Sequence, residues 1–567
     1  MPSGASQIPP LLMTCRTGRG AHCGQATFNR SPPMPRPSSF PPPVTLSRLA
    51  GTLLLSCIAT SALAQQAGVV TLGRTYDADR YDPQRSSSLA AAEVLYMVGD
   101  TLVTLSDDLK SVEPALAERW EVSEDGLTYT FHLKPGVTYC DGKALTAQDV
   151  VGSMQRWLTP DGPYVSTWKA GMVDSVTAPD DSTVVYKLSA PSSGLLFQMA
   201  QFNFIIIDPA EAEALGDDFG VTAFNGTGAF CFDSWQPNDA VVLTRHDGYD
   251  WGSPALGNSG PARVDKVVWK IIPEESTLVA SLQAGEIDAT YSLPSWSIAQ
   301  LEADPSIQLA QPAASFRTHY VGMKTSRPNM GDVHVREAIS HAIDQSAIAD
   351  AIFFGTVDAA DSYYSEAALD YDPTTDTSPF TFDPDKTRTL LEGAGFTMGS
   401  DGFWQKDGTP LTLTYYGFNS AREQAEAIQG DLRKVGIDLK VELFDSTAIW
   451  AKLREESYDL FQMDYPYLNA GDALNLYFSS ASIPSPNRMM WNDPETDRLL
   501  EAGNTATTDA ARSAAFMALG KHLHEAVLWK PLLLETPTVA FGPRIAPFSP
   551  AGISGAAFGT GLSLALK

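Results

Sequence analysis

An active site needs a nucleophile beside a base, a cluster of metal ligands, or donors around a phosphate, and no such arrangement stands out in this 567-residue sequence. Neither Gly-x-Ser-x-Gly nor His-Glu-x-x-His occurs. The tightest histidine pair, His522 and His524, is spaced two apart on an expected helix, where side chains diverge, and reads as surface. Asp180-Asp181 and Glu274-Glu275 read as a solvated turn and a helix start. The glycine stretch Asn225-Gly226-Thr227-Gly228 runs into a strand and lacks a following Lys-Ser/Thr, so a phosphate cradle is discounted. No enzyme, resident metal or cofactor is expected. What remains is binding chemistry. Tyr76, Trp296, Trp404, Tyr465 and Tyr467 lie in loop-like stretches and can offer apolar faces with polar tips, whereas Trp450, on an expected helix, reads as packing.

The elements that would position such residues are most legible from Gly126 to Trp157. Leu127, Tyr129, Phe131 and Leu133 alternate as a half-buried strand requires, Pro135-Gly136 and Asp141-Gly142 supply turns, and Thr146 with Asp149 forms a capping box for a helix whose Val150, Met154 and Trp157 share one face. Further strands are expected at Val69 to Leu72, around a hairpin at Pro179-Asp180-Asp181, and from Phe202 to Ile207. Ser87 and Ser88 precede a helix from Leu89 to Val98. Asp344 and Asp383-Pro384 open two more helices. From Leu411 a strand, a helix carrying Ala425, Ile428 and Leu432, and the alternating strand Ile437 to Leu443 form a beta-alpha-beta unit, which implies parallel strands.

Composition sets the compartment. Arg48, the apolar run from Leu49 to Ala59 and the small residues of Ala62-Leu63-Ala64 read as a secretory signal cut after Ala64, with Met34 a better start than Met1. A rival reading acylates Cys57 after Leu54-Leu55-Ser56. Past Ala64, 34 basic residues face 67 acidic ones, a net charge of −33 that argues against a nucleic-acid partner. The remaining 503 residues exceed one core and suggest two or three domains. Cys140 and Cys231 are the two cysteines left: in an oxidising compartment they are a candidate disulfide, the alternative being two free buried thiols.

The block from Gly126 to Trp157 resembles the signature region of the extracellular solute-binding proteins of ABC importers, family 5, and so do the Asn225 to Phe230 block and the stretch from Arg317 to Ile352. The resemblance implies an α/β fold of two lobes, the periplasmic binding protein of cluster C type, with an extra subdomain and mixed sheets joined by hinge strands. It divides the chain into an N-terminal extension and signal peptide (1–64), lobe I (65–95, 196–266 and 527–567), an extra subdomain (96–195) and lobe II (267–526). It implies a monomer in the periplasm that carries a small peptide or peptide-like solute to permease subunits driven by ATPase subunits. Opines, oligosaccharides and glutathione-like conjugates are alternative ligands, and a sensor or chaperone an alternative role. The site residues it suggests are Tyr76, Asp77, Trp296, Trp404, Asp464, Tyr465, Tyr467 and Asn469. Peptide-binding relatives place an aspartate for the peptide's amino group where this chain has Leu468, so Asp464 or Asp472 would have to replace it, or the ligand lacks a free amine.

Overall fold

The computed structural model describes residues 68–253, 258–445 and 448–567. The expected start at Met34, the cleavage after Ala64 and the rival Cys57 lie outside the described residues.

Two large mixed sheets organise the chain. In the first, the strands run in the order Gln308–Ala310, Val539–Phe541, Ala289–Thr290, Val69–Arg74, Lys266–Ile271, Ala240–Arg245 and Phe230–Gln236. Val69–Arg74 is parallel to both its neighbours, Lys266–Ile271 and Ala289–Thr290. The second sheet has the order Asp358–Ala359, Trp529–Leu534, Phe316–Met323, Leu460–Tyr467, Thr412–Phe418 and Asp438–Phe444. Here the beta-alpha-beta unit is parallel, from Thr412 opposite Asp438 to Phe418 opposite Phe444, with the Arg422–Lys434 helix between them. A third, antiparallel sheet of four strands, ordered Ala117–Val122, Thr128–Leu133, Thr183–Leu188 and Val173–Asp180, carries the Ala147–Trp157 helix.

Sheet membership corrects the expected lobe boundaries. Lys266–Ile271, Ala289–Thr290 and Gln308–Ala310 all stay in the first sheet, so the chain crosses at 311–315 rather than at Val267. Trp529–Leu534 belongs to the second sheet, so the return crossing is at 535–538 rather than after Ala526. The strands themselves were readable, because alternation with period two reports a half-buried strand; it says nothing about which strand lies alongside.

Local signals behave as their chemistry demands. The Asp149 carboxylate accepts from the Thr146 backbone N–H at 2.9 Å and from its hydroxyl at 2.8 Å. Asp344 accepts from Ala347 N–H, and Asp383 from Asp385 and Lys386, with Pro384 at the first helical position. Leu89–Val98 is a helix, almost wholly buried. The expected strand from Phe202 to Ile207 is corrected: Phe202–Phe204 forms a 3-10 turn followed by irregular chain. Its apolar run reflects burial from all sides, which a short run cannot distinguish from strand.

Cys140 and Cys231 are joined, with Cα atoms 5.8 Å apart, tying the turn after the second strand of the small sheet to the edge strand of the first. Cys140, Cys231 and His246 come within metal-ligand reach of one another, but both sulfurs are committed to the bond and offer no thiolate. The glycine loop is a packing device. A side chain at Gly226 would stand 1.8 Å from the Val98 carbonyl oxygen, and one at Gly228 2.4 Å from that of Met97.

His524 corrects the surface reading. It is buried in the last turn of the Asp509–Ala526 helix, its Nδ1 2.6 Å from the Gly520 carbonyl and its Nε2 3.0 Å from the Ser362 hydroxyl. A carbonyl can only accept, so Nδ1 carries the proton and Nε2 accepts from Ser362. Burial lowers its pKa to about 4. The folded state therefore prefers neutral imidazole, and the unfolded chain binds the extra proton between pH 6.5 and about 4. Stability from this group is complete above pH 6.5 and falls as pH drops through that window, by about 3 kcal/mol in all. Urea denaturation at pH 7 and pH 4 should show this loss in the parent and not in His524→Leu; equal acid sensitivity of the two proteins would contradict it.

Candidate functional site

A cleft with two adjacent chambers lies between the two large sheets. The first, of about 300 Å³, takes walls from the first-sheet side (Tyr76, Glu93, Tyr291), from the second (Arg317, Val357) and from the return crossing (Glu535). The second, of about 270 Å³, is walled by Lys169, Asn203, Tyr465, Tyr467, Leu468 and Asp472. Leu89, Phe316, Ile553 and Ser554 line both. Their placement follows from the topology: Tyr76 follows the central strand of the first sheet, whereas Phe316 and Tyr467 face each other across paired strands of the second, their rings stacked at 5.6 Å.

The expected site residues divide. Tyr76, Tyr465 and Tyr467 line the cleft. The Tyr467 hydroxyl accepts from the Ser365 backbone N–H at 2.7 Å and lies 3.1 Å from the Thr318 hydroxyl, which fixes its ring. Asp77 sits beside the cleft and is fully occupied, accepting from Arg74 and the Trp235 indole at 2.9 Å each and from Asn238 N–H at 2.8 Å. Burial would raise its pKa, but these donors together hold the carboxyl below its ordinary value. Trp296 is exposed in the first turn of the Ser295–Glu302 helix, where Ser295 and Ile298 rather than the indole face the first chamber. Asn469 caps the Ala470–Phe478 helix by accepting from Asp472 N–H at 2.9 Å, and it lines a smaller hollow that Lys169 and Asp472 share.

Trp404 is the clear correction. Its ring is buried in the core beneath the Arg422–Lys434 helix, its indole N–H donating to the Val435 carbonyl at 2.7 Å, so it has no face to offer a ligand. An isolated tryptophan in a turn-rich segment gives the same sequence signal whether it packs inward or outward. Trp450, read as packing, is exposed, with Phe418 edge-on at 6.0 Å and the Arg488 guanidinium over its ring.

The charges at the junction are coupled. Asp464 pairs with Arg317 at 2.6 Å, and Arg317 also faces Glu535 at 3.7 Å. Glu535 lies 2.7 Å from His319 Nε2. Burial would raise the Glu535 pKa, yet the His319 hydrogen bond and the Arg317 charge lower it to about 2. Asp472 is occupied as well: it accepts from Gln198 at 3.0 Å, from the Tyr465 hydroxyl at 3.4 Å and from Leu468 N–H at 3.0 Å, while burial pushes its pKa up.

Sequence reading missed Glu93, Lys169, Arg317 and the loop around Ile553. Glu93 had a signal, the single charged residue in LAAAEVLYMV. Lys169 had none, since a lysine in a polar loop is ordinarily solvated. The assembly suits noncovalent capture: rings and charged groups from two bodies converge on a cleft wide enough for a small solute.

Residues 111–484 match the family model described as bacterial extracellular solute-binding proteins, family 5 Middle. Heme-binding protein A of Haemophilus influenzae is 26% identical over 477 residues, covering 79% of this chain and 83% of that one. The dipeptide-binding protein of Escherichia coli is 29% identical over 448 residues, covering 74% and 78%. Among solved structures, the periplasmic binding protein DppA of Helicobacter pylori in complex with the peptide STSA superposes with a TM-score of 0.74 at 23% identity, covering 88% of this chain and 98% of that one. NikA of Brucella suis in complex with Fe(III)-EDTA gives 0.76 at 23%, covering 88% and 100%. The likenesses to solved structures establish a two-lobed α/β fold, and the family match adds the rest: this chain belongs to the bacterial extracellular solute-binding proteins of family 5.

Proposed function

We propose that this protein is the monomeric, periplasmic capture component of an ABC importer, which closes its two lobes on a small peptide or peptide-like solute and delivers it to permease subunits powered by ATPase subunits. The observation that carries the reading is the two-sided cleft: Tyr76 and Glu93 come from one lobe, Arg317 and Tyr465 from the other. A solute that touches both lobes favours the closed form by its extra contacts there, and one touching a single lobe shifts nothing. Relatives named for dipeptide, glutathione and heme binding support a solute-carrying role and span several ligand chemistries. The protein performs no chemical step on its solute. Its export would follow from the leader ending at Ala64.

A specific observation favours a second ligand reading. Asp464 is paired with Arg317 and Asp472 is saturated by three donors, so neither is free to hold an ammonium group beside Leu468. Mass spectrometry of protein purified from its own periplasm, native and then denatured, tests both. Peptides of roughly two to five residues support peptide uptake, a single opine-, sugar- or conjugate-sized mass supports the alternative, and a protein that never carries a solute under any growth condition would sink both. Adding the identified solute back at about 100 times its Kd should stabilise the stripped protein by about 2.7 kcal/mol.

A further inference from the structure

Among the buried acidic side chains of the described residues, Glu93 is the exception. Asp82, Asp370, Asp459 and Asp288 each face an arginine, at 2.6, 3.0, 3.2 and 3.4 Å. Asp149 and Asp208 share Lys143, Asp431 has Lys434, and Asp100 accepts from three side-chain donors. Glu93 is 2% exposed on the wall of the first chamber. Its Oε1 accepts from Ala557 N–H at 3.1 Å, the Phe558 amide adds a weaker pull, and Oε2 has no hydrogen-bond partner. Burial pushes its pKa up to about 7, only partly opposed by the Ala557 amide and by the charge of Arg74, whose guanidinium is paired with Asp77 at 2.9 Å. An unpaired buried carboxylate is costly, and a cation from outside would remove that cost.

The second chamber shows the opposite imbalance. Lys169 Nζ donates to the side-chain carbonyls of Gln201 at 2.5 Å and Asn203 at 3.1 Å, both neutral, and makes no ion pair. An ammonium has three donors, so one remains. Asp472, the carboxylate on the same wall, has both oxygens engaged. Burial lowers the Lys169 pKa to about 8 against the opposing pull of the Asp472 charge, which shares its hollow without reaching it as an ion pair.

We propose that the cleft takes a zwitterionic solute of peptide size, its ammonium or guanidinium group on Glu93 in the first chamber and its carboxylate on Lys169 in the second. The assignment rests on the cleft being the binding site, and it moves the cationic anchor away from Leu468 to a residue on the other lobe. Each charge of the solute then completes an ion pair that the protein leaves half made.

The test is equilibrium dialysis of the full protein, stripped of its own solute by unfolding and refolding, against four probes: tri-alanine, its N-acetyl form, its C-terminal amide and the doubly blocked form. Free tri-alanine should be retained at least tenfold better than either singly blocked form. Glu93→Gln should abolish discrimination against the acetylated probe, and Lys169→Met against the amide. Equal retention of the acetylated probe by the parent protein overturns the role of Glu93, and equal retention of the amide overturns that of Lys169. Retention of none of the four overturns the zwitterion itself. Tyr76→Ala should weaken all retained forms alike; if it changes none of them while binding persists, the solute sits elsewhere and the cleft reading is what fails.

Discussion

Removing the Cys140–Cys231 bond, by replacing both residues with alanine, should cost the folded protein about 4 kcal/mol. The bond closes a loop of 91 positions, and the chain-entropy model assigns a loop of that length about 4 to 5 kcal/mol of restraint on the unfolded chain. The effect acts on the unfolded state, so the double variant should also unfold with a steeper dependence on urea, because its unfolded chain exposes more surface. Urea denaturation of the variant and of the reduced parent should agree. A loss below about 1 kcal/mol would mean that the unfolded chain is already compact across this loop.

Asp100→Leu should be nearly as damaging, at about 3 to 5 kcal/mol. Asp100 follows the buried Leu89–Val98 helix, and its carboxylate collects the Thr227 hydroxyl at 3.0 Å, the Tyr249 hydroxyl at 3.1 Å and the Trp251 indole N–H at 3.2 Å. Burial raises its pKa to about 6 against all three donors, so the charge itself is not what stabilises the fold. Its worth lies in being the acceptor that these buried donors need. Leucine has similar bulk and no acceptor, which leaves the Tyr249 and Thr227 hydroxyl protons without a partner; the Thr227 hydroxyl oxygen still accepts from the residue 100 backbone N–H at 3.3 Å, and the Trp251 indole keeps the Thr227 carbonyl at 3.2 Å. Thermal and urea unfolding of Asp100→Leu beside Asp100→Asn separates the two ideas. Asparagine keeps one acceptor oxygen and should lose distinctly less, whereas equal losses would point to shape rather than hydrogen bonding.

Both effects concern the region where the helix after the central strand, the glycine loop and the small sheet meet. That region carries one wall of the cleft, through Leu89 and Glu93. Loosening it should therefore weaken solute capture as well as stability, and ligand affinity of the two variants is worth measuring below their unfolding transitions.

The sequence by itself determined what depends on neighbours along the chain. Alternation at Tyr129, Phe131 and Leu133, the Thr146–Asp149 cap, the Asp383-Pro384 helix start and the parallel unit from Thr412 to Phe444 all follow from side chains within a few residues of one another, or from one helix between two strands. Resemblance in several blocks then supplied the family. Tertiary structure alone decided what depends on partners far away in sequence. Lys266–Ile271 remains in the first sheet because its hydrogen bonds go to Val69–Arg74. Trp404 points inward because the Val435 carbonyl is there to take its N–H. Asp464 is unavailable because Arg317, 147 positions away, neutralises it. Glu93 and Lys169 emerge as candidates by the same logic: whether a charged side chain is satisfied is a property of everything packed around it, and period, propensity and turn chemistry carry no record of that.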